Sequence, residues 1–164
     1  MIQRQINIVR VDYHNPQQGS DLVLLLDNYA RDPMGGGEPL NQFVKDNLVA
    51  ELSKRDFGLS LIVYVDNQPA GLLNAFEGFS TFACKPLFNV HDIVVLEKFR
   101  GLQLSQLLLQ ELENIARAKG CCKITLEVLD GNSIAQRAYK KAGFAGYELD
   151  PRMGKAAFWQ KKLL

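Results

Sequence analysis

The chain has little that would staple it, charge it or anchor it, and each shortage closes off a class of protein. Its three cysteines, Cys84, Cys121 and Cys122, are an odd number with two members adjacent, which makes no disulfide framework. No Cys-x-x-Cys pair occurs and there are only two histidines, so zinc-ligand spacing is missing and no metal is expected. The cysteines are expected to be reduced thiols packed in or near the core, because free cysteine behaves as a small hydrophobe. The formal net charge is +1, which provides no electrostatic footprint for a nucleic acid or an anionic membrane as partner. The longest apolar run, residues 22–26, falls far short of a membrane span. The opening Met1-Ile2-Gln3-Arg4-Gln5 puts no apolar stretch behind a basic start. What is left is a soluble, cytoplasmic chain of 164 residues, 47% apolar, expected to form one domain over residues 1–164.

What is present is an ordered alternation of strand and helix patterns, with no repeat or linker between them. Residues 5–11 read as a strand. Ser20 is placed to cap a helix over 21–30, with Leu22, Leu25, Leu26 and Tyr29 on its apolar face. Asp32-Pro33-Met34-Gly35-Gly36-Gly37 breaks the chain. Pro39 then opens a second helix whose buried face is Leu40, Phe43, Val44, Leu48 and Leu52. Residues 59–65 and 70–79 form a hairpin around Asp66-Asn67-Gln68-Pro69. A strand over 90–96, a helix over 101–119 ended by Gly120, and a strand over 122–129 follow. The face of that long helix is read as Leu104, Leu107, Leu108, Leu112, Ile115 and Ala116. Asn132 caps a helix reaching Ala142, Gly143 stops it, and residues 144–148 and 156–162 close the chain as two strands. The right-handed crossover rule makes strands 90–96 and 122–129 parallel neighbours. With the antiparallel hairpin before them, the expectation is an α/β fold: a mixed sheet with helices on its faces.

Two runs carry chemistry. The first is His91-Asp92-Ile93-Val94-Val95-Leu96-Glu97-Lys98-Phe99-Arg100-Gly101-Leu102-Gln103-Leu104-Ser105. Here a strand ends, a short turn follows and a helix begins. The first amides of a helix lack internal partners and sit at the positive end of its dipole, which suits a pyrophosphate. Arg100 adds a charged fork beside them. The second run is Asn132-Ser133-Ile134-Ala135-Gln136-Arg137-Ala138-Tyr139-Lys140-Lys141-Ala142-Gly143-Phe144. Asn132 and Tyr139 are two helical turns apart and share a face.

Together the two runs resemble the GCN5-related N-acetyltransferases, the GNAT family, and the flanking elements extend the resemblance over the whole chain. The loop over 32–38 and the segment Phe76-Glu77-Gly78-Phe79-Ser80-Thr81-Phe82 resemble a bacterial subgroup of it. The resemblance implies a mostly antiparallel central sheet with a splayed parallel strand pair at the cofactor site. It implies acetyl-CoA as cosubstrate, held by the backbone of Ile93, Val94 and Val95 and by the turn Arg100, Gly101, Leu102, Gln103, Leu104 and Ser105. Val94 and Val95 are the first choices for an N–H that polarises the acetyl carbonyl. Asn132 is implied to hold the pantetheine arm, and Tyr139 to protonate the departing thiolate. The family turn reads Arg/Gln-x-x-Gly-x-Gly/Ala. This chain has Gln103 and Ser105 at the two small-residue places, so Gln103 must point away or supply an amide donor, and Ser105 has a hydroxyl to offer.

A protonated amine cannot attack a thioester, so a base is needed, directly or through water. The candidates are Glu77, His91, Asp92 and Glu127, and Glu77 or Asp92 is the preferred choice. His91 is expected to face away from Asp92 by strand period. The three glycines at 35–37 are either ligand-binding amides or a flexible turn. Phe76, Phe79 and Phe82 either wall an acceptor pocket or serve core or dimer contacts. The expected reaction is direct transfer of an acetyl group to a primary amine of a small molecule or peptide, without metal or covalent intermediate. The family also makes a homodimer an expectation. Two rival readings follow from Gln103 and Ser105: an acyl-CoA-binding module without turnover, and an interaction protein that kept the fold alone.

Overall fold

A computed structural model describes residues 4–163; residues 1–3, part of the N-terminal segment read above, lie outside them. The chain divides into two compact units, Met1–Leu126 and Glu127–Leu164.

In the first unit five strands form one sheet in the order β1-β2-β3-β4-β5. They are β1 (Ile6–Arg10), β2 (Gly58–Val65), β3 (Gln68–Ser80), β4 (Lys85–Val95) and β5 (Ile124–Leu126). Every pairing is antiparallel except β4 with β5, which is parallel. The mixed, mostly antiparallel sheet is therefore as expected. The β2–β3 hairpin turns on Asp66 and Asn67, both at positive φ, the backbone that a two-residue hairpin loop needs to match strand twist.

Strand alternation sorts the core into two layers. Leu22 and Leu25 of α1 (Pro16–Arg31) cluster with Ile62 of β2, Leu72 of β3 and Val94 of β4. Leu61, Val63, Leu73 and Ala75 point to the other face and are equally buried. There α3 (Leu104–Ala118) packs on β2, β3 and β4 and buries Leu104, Leu108, Leu109, Leu112 and Ala116. Each fully buried leucine contributes about 1.5–3 kcal/mol through apolar surface removed from water.

Several local expectations change. Asn15, not Ser20, caps α1, accepting from Gln17 and Gln18, and Pro16 follows at the first helical position, where its missing N–H costs nothing. Asn41 caps α2 (Gln42–Ser53) through Val44, so Pro39 lies outside that helix, and Phe43 is 74% exposed. On α3, Leu109 is buried and Leu107 exposed. β4 begins five residues before position 90 because it continues the long hairpin with β3 down to Ser80↔Lys85. The thiols are free, and Cys84 and Cys122 are exposed rather than in the core.

In the second unit, α4 (Ser133–Lys141) is capped as read: Asn132 Oδ1 accepts from the Ala135 amide. The two closing strands do not form. One isolated antiparallel bridge, Glu148↔Lys155, joins the end of the first segment to the residue before the second, around a 3-10 turn over Pro151–Met153. Among the described residues, no helix is long and apolar enough to cross a membrane.

Candidate active site

The parallel pair opens where the first chemical run begins. β4 and β5 share three register positions, ending at Val90↔Leu126, and Asn89 Nδ2 donates to Thr125 Oγ1 at 2.8 Å just before that point. β4 continues to Val95, paired on its other edge with β3. The Leu96 amide donates to Ala70 O at 2.9 Å. N–H directions alternate along a strand, so Val94 also points to β3, and Ile93 and Val95 point their backbone groups to the edge that β5 has left. The Val94 N–H is thus directed into the β3 pairing, and its side chain is in the core; the backbone groups directed to the open edge are those of Ile93 and Val95.

Past β4, a 3-10 turn over Glu97–Phe99 leads into Arg100 and then α3. Gly101 (φ 86°) and Gln103 (φ 58°) both adopt left-handed backbone. Gln103 is exposed and makes no side-chain cap on α3. The first intrahelical bonds run from the Gln106 and Leu107 amides to Gln103 O, so the Leu104 and Ser105 amides lie ahead of them at the helix opening. The Leu104 side chain is buried in the α3 layer and fixes that opening. Leu102 is half-buried in the turn. A non-glycine residue in left-handed backbone costs about 1–2 kcal/mol. Gln103→Gly is therefore expected to raise Tm by about 2–4 °C for each kcal/mol released, as measured by thermal denaturation. A lowered Tm would mean that the Gln103 side chain holds the turn.

Asp92 lies on this stretch of β4, one residue before Ile93. Register shifts between β3 and β4 at this point: Asn74 pairs with Asp92 but Ala75 pairs with Val90. His91 is the extra residue of a β-bulge, and the bulge turns Asp92 over. The expectation that His91 and Asp92 face oppositely is wrong for this reason. Asn74 and Phe76 lie two apart on one face of β3. Asp92 accepts from Asn74 at 3.0 Å, and the His91 ring meets Phe76 edge-on at 4.8 Å between centroids. Burial pushes the Asp92 carboxyl above the ordinary aspartate value, against the lowering effects of the Asn74 hydrogen bond and of His91. The Tyr29 hydroxyl is raised by burial and then by the charges of Asp92 and Asp32, which puts α1 over the same ground.

Glu77 is not brought to Asp92. It pairs with Phe88 across the hairpin on the α3 side of the sheet and is ion-paired with Lys119 just beyond α3. The two preferred bases therefore stand on opposite faces. Glu127 belongs to the second unit.

The loop after α1 is a turn rather than an amide nest. The Gly35 and Gly37 amides both donate to Asp32 O. A Cβ at Gly35 would stand 2.0 Å from Tyr29 O, so only glycine fits. Asp32 faces Arg100 across 3.8 Å, which joins this loop to the turn ahead of α3. Phe76 is half-buried against the α1 layer, whereas Phe79 and Phe82 are exposed at 60% and 104% and line nothing within the first unit.

Three residues that sequence reading did not select extend inward from Asp92. Ser60 Oγ donates to Asn74 Oδ1 at 2.6 Å, and Tyr13 Oη lies 2.9 Å from Ser60 Oγ. Ser60 and Asn74 are 2% and 4% exposed. The signal was available: each is a lone polar residue inside an apolar strand, and buried polar groups persist where they are hydrogen-bonded.

In the second unit, Asn132 and Tyr139 are half-buried on one side of α4. The Tyr139 ring packs edge-on against Phe144, 6.1 Å between centroids. The Asn132 carbonyl oxygen is taken by the cap, which leaves its amide N–H groups as donors. Among the described residues, no group of three or more His, Cys, Asp or Glu is placed to hold a metal ion.

A strand pair that opens beside a helix start is the arrangement that the family resemblance implied, and comparison with known proteins places the chain. The model of the acetyltransferase (GNAT) family matches residues 21–144, and the chain belongs to that family. It is 34% identical over 95 residues to a glucosamine 6-phosphate N-acetyltransferase of Trypanosoma brucei brucei; the match spans 53% of this chain and 60% of that relative's length. Its fold is similar to that of a probable acetyltransferase (TM-score 0.79, 19% identity, 95% of this chain and 98% of the other). It is also similar to the aminoglycoside N-acetyltransferase AAC(6')-Iy solved in complex with CoA (TM-score 0.73, 18% identity, 98% and 97%).

Proposed function

We propose that the protein transfers the acetyl group of acetyl-CoA to a primary amine of a small molecule or peptide. The observation that carries this reading is the β4 edge over His91–Val95, left by β5 and running straight into the uncapped start of α3. Acetyl-CoA, when bound, supplies the acetyl group as a thioester. Ile93 and Val95 offer backbone donors and acceptors to the pantetheine amides and an N–H to the acetyl oxygen, in the manner of an added strand. Arg100 and the amides of Leu104 and Ser105 offer the charges and dipoles that a pyrophosphate needs. Asp92 takes the proton of the attacking amine, and the bulge at His91 is what aims it. Tyr139 is the acid for the thiolate, and Asn132 the pantetheine contact. Glu77 has no part in the chemistry.

The charges of Asp92 and Asp32, both of which act on the Tyr29 hydroxyl, favour a cationic amine over an acidic one. The names of the relatives add amino sugars to the polyamines, amino-acid derivatives and peptide N-termini to be screened. The reading extends to a cytoplasmic enzyme and a homodimer.

Calorimetric titration with acetyl-CoA tests the reading. Binding is expected in the native protein, and Arg100→Ala is expected to weaken it by about ten- to a hundredfold, the loss of charge-assisted hydrogen bonds. Absence of heat from a folded native protein would overturn the reading in favour of an interaction protein. Binding without acetylation of any amine would leave a non-catalytic acyl-CoA module.

A further inference from the structure

We infer that Asn74, Ser60 and Tyr13 are positioning residues that determine which oxygen Asp92 presents and how readily it takes up a proton. The inference rests on the reading of Asp92 as the base only for its consequence in turnover.

The direction of the chain follows from the carboxylate. Ionised Asp92 can only accept, so the Asn74 atom facing it at 3.0 Å must be Nδ2–H. That leaves Asn74 Oδ1 toward Ser60, which must donate at 2.6 Å. The single hydroxyl proton of Ser60 is then committed, so Tyr13 must donate to Ser60 Oγ at 2.9 Å. All three links point toward Asp92, and aligned hydrogen bonds polarise one another. Burial raises the Tyr13 hydroxyl, so it stays protonated as the chain requires.

The consequence lies at the other oxygen. Asn74 occupies Oδ2, which leaves Oδ1 for the incoming ammonium. The N–H bond of the amine breaks, an O–H bond forms on Oδ1, and the chain keeps its polarity throughout. Protonation of Oδ2 would instead force Asn74 and Ser60 to reverse inside the core. Around Asp92 the other titratable groups of the first unit are His91 on its own strand, Tyr29 on α1, and Asp32, which faces Tyr29. At the far end Arg10 acts on Tyr13, where Tyr13 and Ser60 line a cleft of about 210 Å³ with Arg10, His14 and Arg55.

Carbon-13 titration of the Asp92 carboxyl in the free protein tests this without any acceptor. Asn74→Leu removes a donor to the charged form, so the titration is expected to move up by about one to two pH units. Ser60→Ala should move it by less in the same direction, Tyr13→Phe by least, and Ser60→Thr should return it toward the native position. A merely structural role would lower Tm without moving the titration, so an unmoved carboxyl in folded Ser60→Ala and Asn74→Leu overturns the inference. The acid limb of the kcat/KM profile, measured with glucosamine, a cationic amino sugar, as the trial acceptor, should move with the carboxyl. A carboxyl that moves while the acid limb stays would sustain the chain and remove Asp92 as the base.

Discussion

Asp92→Asn is expected to lower kcat/KM for acetyl transfer by about a hundred- to ten-thousand-fold, the range of a lost general base, with acetyl-CoA still binding. The substitution is nearly isosteric, and the new amide oxygen can accept from Asn74 as the carboxylate did. What disappears is the ability to take a proton. In the native protein kcat/KM should fall as pH drops through the value that burial has raised in Asp92, and the variant should lack that limb. Stability should move the other way. Between the unfolded and the raised folded value the native state binds more protons than the unfolded chain, so this group's contribution falls as pH rises through that window. Above the raised value the ionised, largely desolvated carboxylate is a cost. The variant is therefore expected to melt higher than the native protein at neutral pH and to show no gain in acid below both values. A variant that is inactive because it is misfolded would melt lower. Retained turnover with an unchanged acid limb would transfer the proton to water or another group.

The same residue shows where sequence reasoning reached and where it stopped. The elements around the site are written in local signals: a strand ending at the Arg100 turn, Asn132 three residues before the amide it caps, Gly143 after α4. Each depends on residues within a turn or two of one another, so each could be read directly. The side that Asp92 faces depends on a single extra residue in β4, and a one-residue slip moves every side chain beyond it to the other face. Nothing within His91-Asp92-Ile93 announces that slip. It is set by Asn74 and Phe76 on the neighbouring strand, through contacts formed only in the folded sheet. The surroundings of Glu77 were illegible for a related reason. Its neighbours in sequence, Phe76 and Phe79, carry no sign of an ion pair, but alternation sends it to the α3 side, where Lys119 arrives from far along the chain. Ser60 and Asn74 were legible in kind, as polar residues in apolar strands, but not in partnership, since 14 residues separate them. The left-handed backbone at Gln103 has the opposite lesson. The family pattern put a glycine there, and the structure keeps the glycine's conformation with another side chain.

Tyr139→Phe should lower kcat and kcat/KM together by about a hundred- to ten-thousand-fold, leaving the dissociation constant of acetyl-CoA unchanged. An acid that acts only as the thiolate departs contributes nothing to the bound ground state, and removal of such a group lowers both parameters equally. The design isolates one atom. The ring that packs against Phe144 at 6.1 Å remains, and so does the bond from the Phe144 amide to Tyr139 O, so α4 should melt as before. The contrasting variant is Asn132→Ala, which removes the cap on Ala135 and with it about 0.5–2 kcal/mol of helix stability. If the second unit matters only as scaffold, Asn132→Ala should be the more damaging of the two, and turnover should follow its Tm. If Tyr139 supplies the proton, the order reverses: the variant that melts normally is the inactive one. Full turnover in Tyr139→Phe would make the hydroxyl incidental and leave protonation of the thiolate to solvent.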